Sequence, residues 1–289
     1  MGIHLEKGLL FDRVKKTYRN GVKAVDGLTL NIPKGCVHAF LGPNGAGKTT
    51  SLKAALGFIS YGGTVSWDGK PVEAMRHDIV FVPEEKRFYE HWTLVETLRI
   101  CFKLDKRFSL QRAREYFDFF ELPMKKRIRG FSLGMKTSLY LSLAFSTEAG
   151  FLILDEPTSG LDPIKRDDVL EIIRRQVIDG KTVLYTSHII PEVERIADTF
   201  SILQHGTLVY NGTLDELKER FRVFTFSMEE WGREEAPKGV IVTEQRDQVT
   251  VLTDNEQAIS AWNKKKECFS EIPTLDTFFQ LTIRGKRYV

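Results

Sequence analysis

Residues Gly42-Pro43-Asn44-Gly45-Ala46-Gly47-Lys48-Thr49-Thr50 stand directly after the apolar run Val37-His38-Ala39-Phe40-Leu41. Glycines at 42, 45 and 47 let the backbone curl through conformations closed to other residues, so that successive N–H groups face one point. A helix beginning near Gly47 adds the positive end of its dipole there. The stretch fits G-x-x-x-x-G-K-[ST], a loop that cradles the phosphates of a nucleotide. In such a loop Lys48 reaches the outer phosphates and the Thr49 hydroxyl holds Mg²⁺. Gly42, Asn44, Gly45, Ala46, Gly47, Lys48, Thr49 and Thr50 are therefore the expected nucleotide contacts. The surroundings must be strand, loop and helix, in that order.

With 289 residues the chain has room for one large domain, or a domain plus an appendage. Hydrophobic residues make up 42% and charged residues 28%, the balance of a globular protein that buries its core without staples. There are 42 basic and 39 acidic side chains, too even a balance to point to nucleic acid. Cys36, Cys101 and Cys268 are far apart and show no metal or redox spacing, so reduced thiols in a cytosolic protein are expected. The first ten residues lack the apolar core of a signal peptide. No run approaches the ~20 apolar residues that span a bilayer, so work at a membrane would need a partner's span.

Ahead of the loop, residues 9–14 and 24–32 read as strands of an N-terminal antiparallel region, with turns at Asn20-Gly21 and Pro33-Lys34-Gly35. Tyr18 sits in the polar connection between them. After the loop come a helix over 48–56, a hairpin around Thr64-Val65-Ser66-Trp67 with turns at Gly62-Gly63 and Asp68-Gly69, and a buried strand over 78–82 stopped by Pro83. From about 93 to 147 the apolar period changes from two to 3.6. Leu94, Leu98 and Phe102 share one helical face. Ser109 caps a second helix with Ala113, Phe117 and Phe120 inward, and Ser132 caps a third carrying Leu139, Leu143 and Ala144. This is a helical insertion in an α/β domain.

Phe151-Leu152-Ile153-Leu154 returns to a fully apolar strand of the parallel-sheet kind. Helices over 163–178 and 191–197 and strands over 182–186, 200–204 and 207–210 follow. Beyond Phe221 the texture changes: strands over 223–226, 239–243 and 248–253, a helix over 255–266, and an amphipathic turn or two carrying Leu275, Phe278 and Phe279. The expected domains are residues 1–221 and a small α+β module at 222–289, with Leu275, Phe278 and Phe279 in the module's own core.

Four further features bear on chemistry. Leu154-Asp155-Glu156 ends an apolar strand, where a carboxylate can reach metal held by Thr49 and its neighbour Glu156 can orient water toward the outer phosphate. Without the loop upstream, the same pair would be polar punctuation. Phe131-Ser132-Leu133-Gly134-Met135 opens a helix, and by itself is a capping serine plus a glycine. Ser159-Gly160-Leu161-Asp162 is a turn soon after Glu156. His188 follows Thr186-Ser187 at the carboxyl end of a strand, from which an imidazole reaches a γ-phosphate. His4, His38, His77, His91 and His205 share no spacing and read as structural. Lys125-Lys126-Arg127-Ile128-Arg129 and Lys264-Lys265-Lys266 read as solvated faces.

In this order the features resemble the ATP-binding cassette family, the ATPase subunits of ABC transporters, over roughly residues 9–215. The resemblance implies a P-loop NTPase fold of the ABC type with a helical subdomain. It implies that Tyr18 stacks on adenine, in preference to the alternative of a strand-end aromatic packing on its own domain. Lys48 and the loop backbone would hold the phosphates, Thr49 and Asp155 would serve Mg²⁺, Glu156 would be the catalytic carboxylate, and His188 would contact the γ-phosphate. Ser132 and Gly134 would contact ATP bound to a second subunit, with Asp162 at the same junction. Two departures stand out. Pro83-Glu84 replaces the family's usual proline-glutamine, keeping an oxygen for metal or water but adding a charge. Phe131, Leu133 and Met135 depart from L-S-G-G-Q, while Ser132 and Gly134 remain. This form looks like the exporter cassettes of drug- and antimicrobial-peptide-type systems.

The resemblance implies ATP hydrolysis that powers a separately encoded permease, with two cassettes closing over two ATP–Mg²⁺. A homodimer is preferred to a heterodimer, no nucleic-acid partner is expected, and the protein would sit peripherally at the cytoplasmic face of a membrane. Two rivals stay open at this level: a soluble cassette acting in cluster assembly, and a non-hydrolysing regulatory subunit. Intact Lys48, Asp155, Glu156 and His188 argue against the second.

Overall fold

A computed structural model describes residues 8–232, 237–264 and 268–288. The chain opens with β1 (Gly8–Thr17), β2 (Lys23–Pro33), β3 (Val37–Leu41), α1 (Lys48–Ala55), β4 (Gly62–Trp67), β5 (Lys70–Pro71) and β6 (Ile79–Val82). A helical block holds α2 (Leu94–Leu104), α3 (Leu110–Phe119) and α4 (Leu133–Phe145). Then come β7 (Phe151–Asp155), α5 (Pro163–Ile178), β8 (Thr182–Thr186), α6 (Ile190–Ile196), β9 (Thr199–Gln204), β10 (Thr207–Thr213) and α7 (Leu214–Arg220). The C-terminal part consists of β11 (Arg222–Ser227), α8 (Met228–Trp231), β12 (Ile241–Gln245), β13 (Gln248–Thr253), α9 (Glu256–Trp262), β14 (Phe269–Glu271), α10 (Leu275–Arg284) and β15 (Lys286–Arg287). His4, Lys265 and Lys266 lie outside the described residues.

The central sheet runs β10-β9-β3-β8-β7-β6, parallel except for β10. Every residue of β3, β7 and β8 is buried, because these strands are covered on both faces and need no alternating pattern. The strand expected to be buried at 78–82 is corrected: β6 lies on the sheet's edge, and only Val82 of its four residues is fully buried. Asp78, just before β6, ties this edge down by accepting from Trp67 Nε1 at 3.0 Å and from the Gly150 N–H at 2.8 Å. The antiparallel sheet β2-β1-β4-β5 packs over one face, where Trp67 stacks on Phe151 with centroids 4.7 Å apart.

The helical block packs over the opposite face. Its helices start where hydroxyl side chains satisfy first-turn N–H groups. Thr93 and Glu96 form a reciprocal capping box on α2, Ser109 accepts from the Arg112 N–H, and Ser132 accepts from the Met135 N–H. Ala113, Phe117 and Phe120 are buried, as are Leu94 and Leu98, whereas Phe102 stays about half exposed near the end of α2. In the basic run, Lys125, Lys126, Arg127 and Arg129 are exposed around the buried Ile128.

The C-terminal sheet, β14-β11-β13-β12-β15, closes a core of its own around Phe224, Phe226, Trp231 and Trp262. Helix α10 behaves otherwise. Leu275, Phe278 and Leu281 join the large core under the central sheet, and Phe278 sits 4.7 Å from Tyr210 and 4.9 Å from Phe221 between ring centroids. An amphipathic helix buries its stripe against the larger apolar surface within reach, here α6, β9 and β10. Gln204 Nε2 donates to the Ile283 carbonyl at 2.9 Å and fixes the helix's far end.

Candidate functional site

Because β3, β6, β7 and β8 are parallel, their carboxyl ends share one sheet edge, the usual place for a ligand in open α/β sheets. The register is close: Phe40 pairs with Thr186, Thr186 with Asp155, and Leu154 with Val82. A cavity of about 550 Å³ opens there, lined by Tyr18, Val22, Ala24, residues 43–50, Glu84, Asp155, Glu156 and His188. Residues from five separate segments of the sequence thus meet in one place.

The loop after β3 is built for an anion. Helix α1 starts at Lys48 after Gly47, with no side-chain cap and no acidic residue in its first turn, which leaves that turn's N–H groups for a ligand. Gly47 has φ +103°, and a Cβ there would lie 2.3 Å from the Ala24 carbonyl oxygen. A Cβ on Gly42 would lie 2.4 Å from the Leu203 carbonyl oxygen, so the loop floor rests on the end of β9, beside the β9–β10 turn. The Gly206 N–H donates to the Ala46 carbonyl at 3.0 Å from that same turn. Lys48 Nζ donates to the carbonyls of Gly42 and Pro43, and burial lowers its pKa against the pull of Glu156, Asp155 and Glu84.

Across the cavity, Asp155 is buried and accepts from Thr186 Oγ1 at 2.5 Å. Glu156 takes a left-handed backbone, φ +47°, a conformation that costs about 1–3 kcal/mol outside glycine. Its N–H donates to both the carbonyl and the hydroxyl oxygen of Thr186, at 3.2 and 3.1 Å, and this anchors the turn. The side chain of Glu156 meets Nδ1 of His188 at 2.8 Å. Burial raises the pKa of both carboxylates, with Thr186 opposing at Asp155 and His188 opposing at Glu156.

Sequence reasoning missed two contributors. Thr186 sets Asp155 and Glu156 in position with one side chain. Lys86 is 8% exposed, donates to the carbonyls of Pro83 and Glu84, and is pushed down to about 8 by burial while Asp155, Glu84 and Glu156 pull it up. A lysine two residues after Glu84 was the available signal, since that carboxylate brought a charge needing compensation.

Tyr18 lies at the cavity's edge, 37% exposed, with its hydroxyl 3.4 Å from Thr50 Oγ1 and Lys16 Nζ 5.4 Å from its ring centroid. Ser132, Gly134 and Asp162 do not line this cavity. Ser132 caps α4 and Asp162 caps α5, accepting from the Lys165 N–H at 3.0 Å. Gly134 meets the turn before α5 so closely that a Cβ would lie 2.7 Å from the Gly160 carbonyl oxygen.

Residues 25–159 match the ABC transporter family. The ABC transporter ATP-binding protein YtrB of Bacillus subtilis (strain 168) is 33% identical over 210 residues, covering 69% of this chain and 72% of the relative. This chain belongs to the ABC transporter ATP-binding proteins. The daunorubicin/doxorubicin resistance ATP-binding protein DrrA of Streptomyces peucetius is 36% identical over 216 residues, covering 69% of this chain and 63% of that protein. A solved ATP-binding subunit of an ABC transporter superimposes with a TM-score of 0.68 at 29% identity, over 74% of this chain and 92% of its own. As an ABC ATP-binding protein the chain binds nucleotide and hydrolyses ATP to energise a transporter. Among its described residues no helix is long and apolar enough to cross a membrane.

Proposed function

We propose that this ABC subunit drives export through a separately encoded membrane permease, and that the cavity at the sheet edge is its ATP site. The observation that carries the reading of the cavity as the ATP site is the Glu156–His188 pair, 2.8 Å apart, lining the same cavity as the phosphate loop. The loop N–H groups and Lys48 bind the phosphates, with Gly42, Asn44, Gly45, Ala46, Gly47, Thr49 and Thr50 shaping the cradle. Tyr18, with Val22 and Ala24 beside it, offers the face on which adenine stacks. Glu156 orients the attacking water and takes its proton, and His188 holds Glu156 while contacting the terminal phosphate.

The donors suit Mg²⁺. Among the described residues no three His, Cys, Asp or Glu side chains could hold a metal ion by themselves. Mg²⁺ asks for less, one or two protein oxygens completed by phosphates and water. Thr49 and Asp155 supply hard oxygens, with Glu84 beside them at the cavity wall. When bound there it would neutralise charge on the outer phosphates.

Ser132, Gly134 and Asp162 lie away from the chain's own phosphate loop, and we assign them to the ATP of a second cassette, in a homodimer by preference. Residues 1–221 act as the catalytic unit and 222–289 as an accessory module. The export direction rests on the similarity to DrrA and on the F-S-x-G-M form of the segment at 131–135. Steady-state ATP turnover, measured on the wild type and on Glu156→Gln together with co-purification of an integral-membrane partner, tests the reading. Equal turnover in both proteins would remove Glu156 from its role, and recovery with soluble partners alone would remove the permease.

A further inference from the structure

Behind the Glu156–His188 pair lies a buried carboxylate that the reaction does not touch. Glu192, on α6, is 5% exposed. Its Oε2 accepts from Thr158 Oγ1 at 2.7 Å, from the Tyr185 hydroxyl at 2.7 Å and from Ser187 Oγ at 3.4 Å. Each donor is buried, and they come from two different strand ends. Thr158 follows Glu156 by two residues, and Ser187 directly precedes His188. The second oxygen, Oε1, is buried without a hydrogen bond and lies 3.9 Å from Arg166 Nη1. Arg166 in turn donates through Nε to the Leu161 carbonyl at 3.0 Å, in the turn before α5.

A buried carboxylate with this many ligands is costly to form and costly to leave incomplete, and it fixes whatever its donors belong to. The donors here belong to the segments that carry Glu156 and His188. Glu156 holds a left-handed backbone that local preference opposes, so its geometry depends on neighbouring contacts. His188, with 74% of its side chain exposed, has little packing of its own to define its position.

We propose that Glu192 is a positioning residue: one buried carboxylate fixes the segments after β7 and β8 together and so sets the Glu156–His188 contact, with Arg166 extending the link to the turn before α5. The proposal rests on the reading of Glu156 as the water-orienting carboxylate. Removal of Glu192 leaves the phosphate loop untouched, so binding and turnover separate.

The test uses the full chain with Glu192→Ala, Glu192→Gln, Thr158→Val and Ser187→Ala. In Glu192→Ala, kcat falls at least tenfold while affinity for a fluorescent ATP analogue stays within twofold. Glu192→Gln retains one acceptor oxygen and falls between this variant and the wild type. In nucleotide-free protein the imidazole NMR signal of His188, assigned with His188→Ala, shifts in Glu192→Ala. A kcat within twofold of wild type with an unmoved His188 signal overturns the proposal, as does a parallel loss of affinity and turnover. If Glu192→Ala does not fold, Thr158→Val and Ser187→Ala must each lower kcat without weakening binding, and unchanged kcat in both overturns it. Wild-type turnover in Glu156→Gln would refute the role of Glu156 instead, and the His188 shift then judges Glu192 independently.

Discussion

His188 Nδ1 and Glu156 Oε2 are 2.8 Å apart, with 74% of the histidine side chain exposed and 12% of the glutamate's. The pair therefore joins a group in water to a carboxylate sheltered from it. Substituting Glu156→Gln keeps the shape and removes the charge that accepts a proton in the proposed reaction. Turnover is expected to fall by roughly 10²–10⁴-fold, the usual worth of a positioned general base, with nucleotide affinity nearly unchanged. His188→Ala should lose about 10²-fold, the lower end of that range, because the carboxylate stays in place. Phosphate release under saturating ATP, alongside nucleotide titration, measures both.

Gly47 and Gly45 separate two reasons for needing glycine. Both have positive φ, +103° and +81°, but a Cβ at Gly47 collides with the Ala24 carbonyl and one at Gly45 meets nothing within 4 Å. Gly45→Ala should therefore cost about 1–2 kcal/mol, the left-handed penalty alone. Gly47→Ala should cost more and abolish nucleotide binding, since the loop must move to accept the methyl. Chemical denaturation and nucleotide titration of the two variants decide this.

Lys86 and Lys48 face three carboxylates at the cavity, Glu84, Asp155 and Glu156. Lys86→Gln leaves that group with one ammonium fewer. Nucleotide binding is expected to weaken by about tenfold, from roughly 1.4 kcal/mol of lost charge compensation. Adding Glu84→Gln should restore most of it, so the double variant binds better than Lys86→Gln alone. An additive or worse double variant would show that Lys86 does not compensate Glu84.

His38 lies in the centre of the sheet, 1% exposed, with Nδ1 2.7 Å from Thr199 Oγ1 and Nε2 2.9 Å from Ser201 Oγ. The Ser201 hydroxyl donates to Asn211 Oδ1, so it accepts from His38, which selects the neutral tautomer protonated on Nε2. Burial lowers the pKa to about 3 from 6.5. The folded chain thus holds the ring neutral while the unfolded chain takes up a proton below 6.5. Its contribution to stability is complete above that pH and is lost as pH falls toward 3, by about 1.4 kcal/mol per unit for this group. Urea unfolding between pH 7 and 5 should show a shallower slope for His38→Gln than for the wild type.

Phe278 supplies a test of the C-terminal packing. It is 2% exposed among Phe200, Tyr210 and Phe221, and Phe278→Ala should lower stability by about 3–5 kcal/mol. Denaturant midpoints of the two proteins measure it.

Much of the cavity wall was readable in the sequence because its parts are local. The loop at 42–50, Asp155-Glu156 and His188 each sit at a strand's end, and an apolar run announces each strand. Thr186, Lys86 and Glu192 were not readable in the same way. Thr186 and Glu192 act through side chains that meet across different strands, which no spacing along the chain encodes, whereas Lys86 left only the local signal of a lysine two residues after Glu84. Helix α7 was missed for another reason: Thr213 and Glu216 form its capping box, a signal present in the sequence but attached to a helix of seven residues with little periodicity. The burial of β6 was overestimated because four apolar residues look the same on an edge strand as at a sheet's centre.

Residues 203–206 carry loads from two directions. From above, the Leu203 carbonyl closes under Gly42 and the Gly206 N–H holds Ala46. From below, Gln204 is bonded to the last turn of α10. The last turn of that helix and the backbone of the loop at 42–46 therefore bear on the same four residues from opposite sides. Helix α10 and the loop that follows β3 thus stand on one shared support.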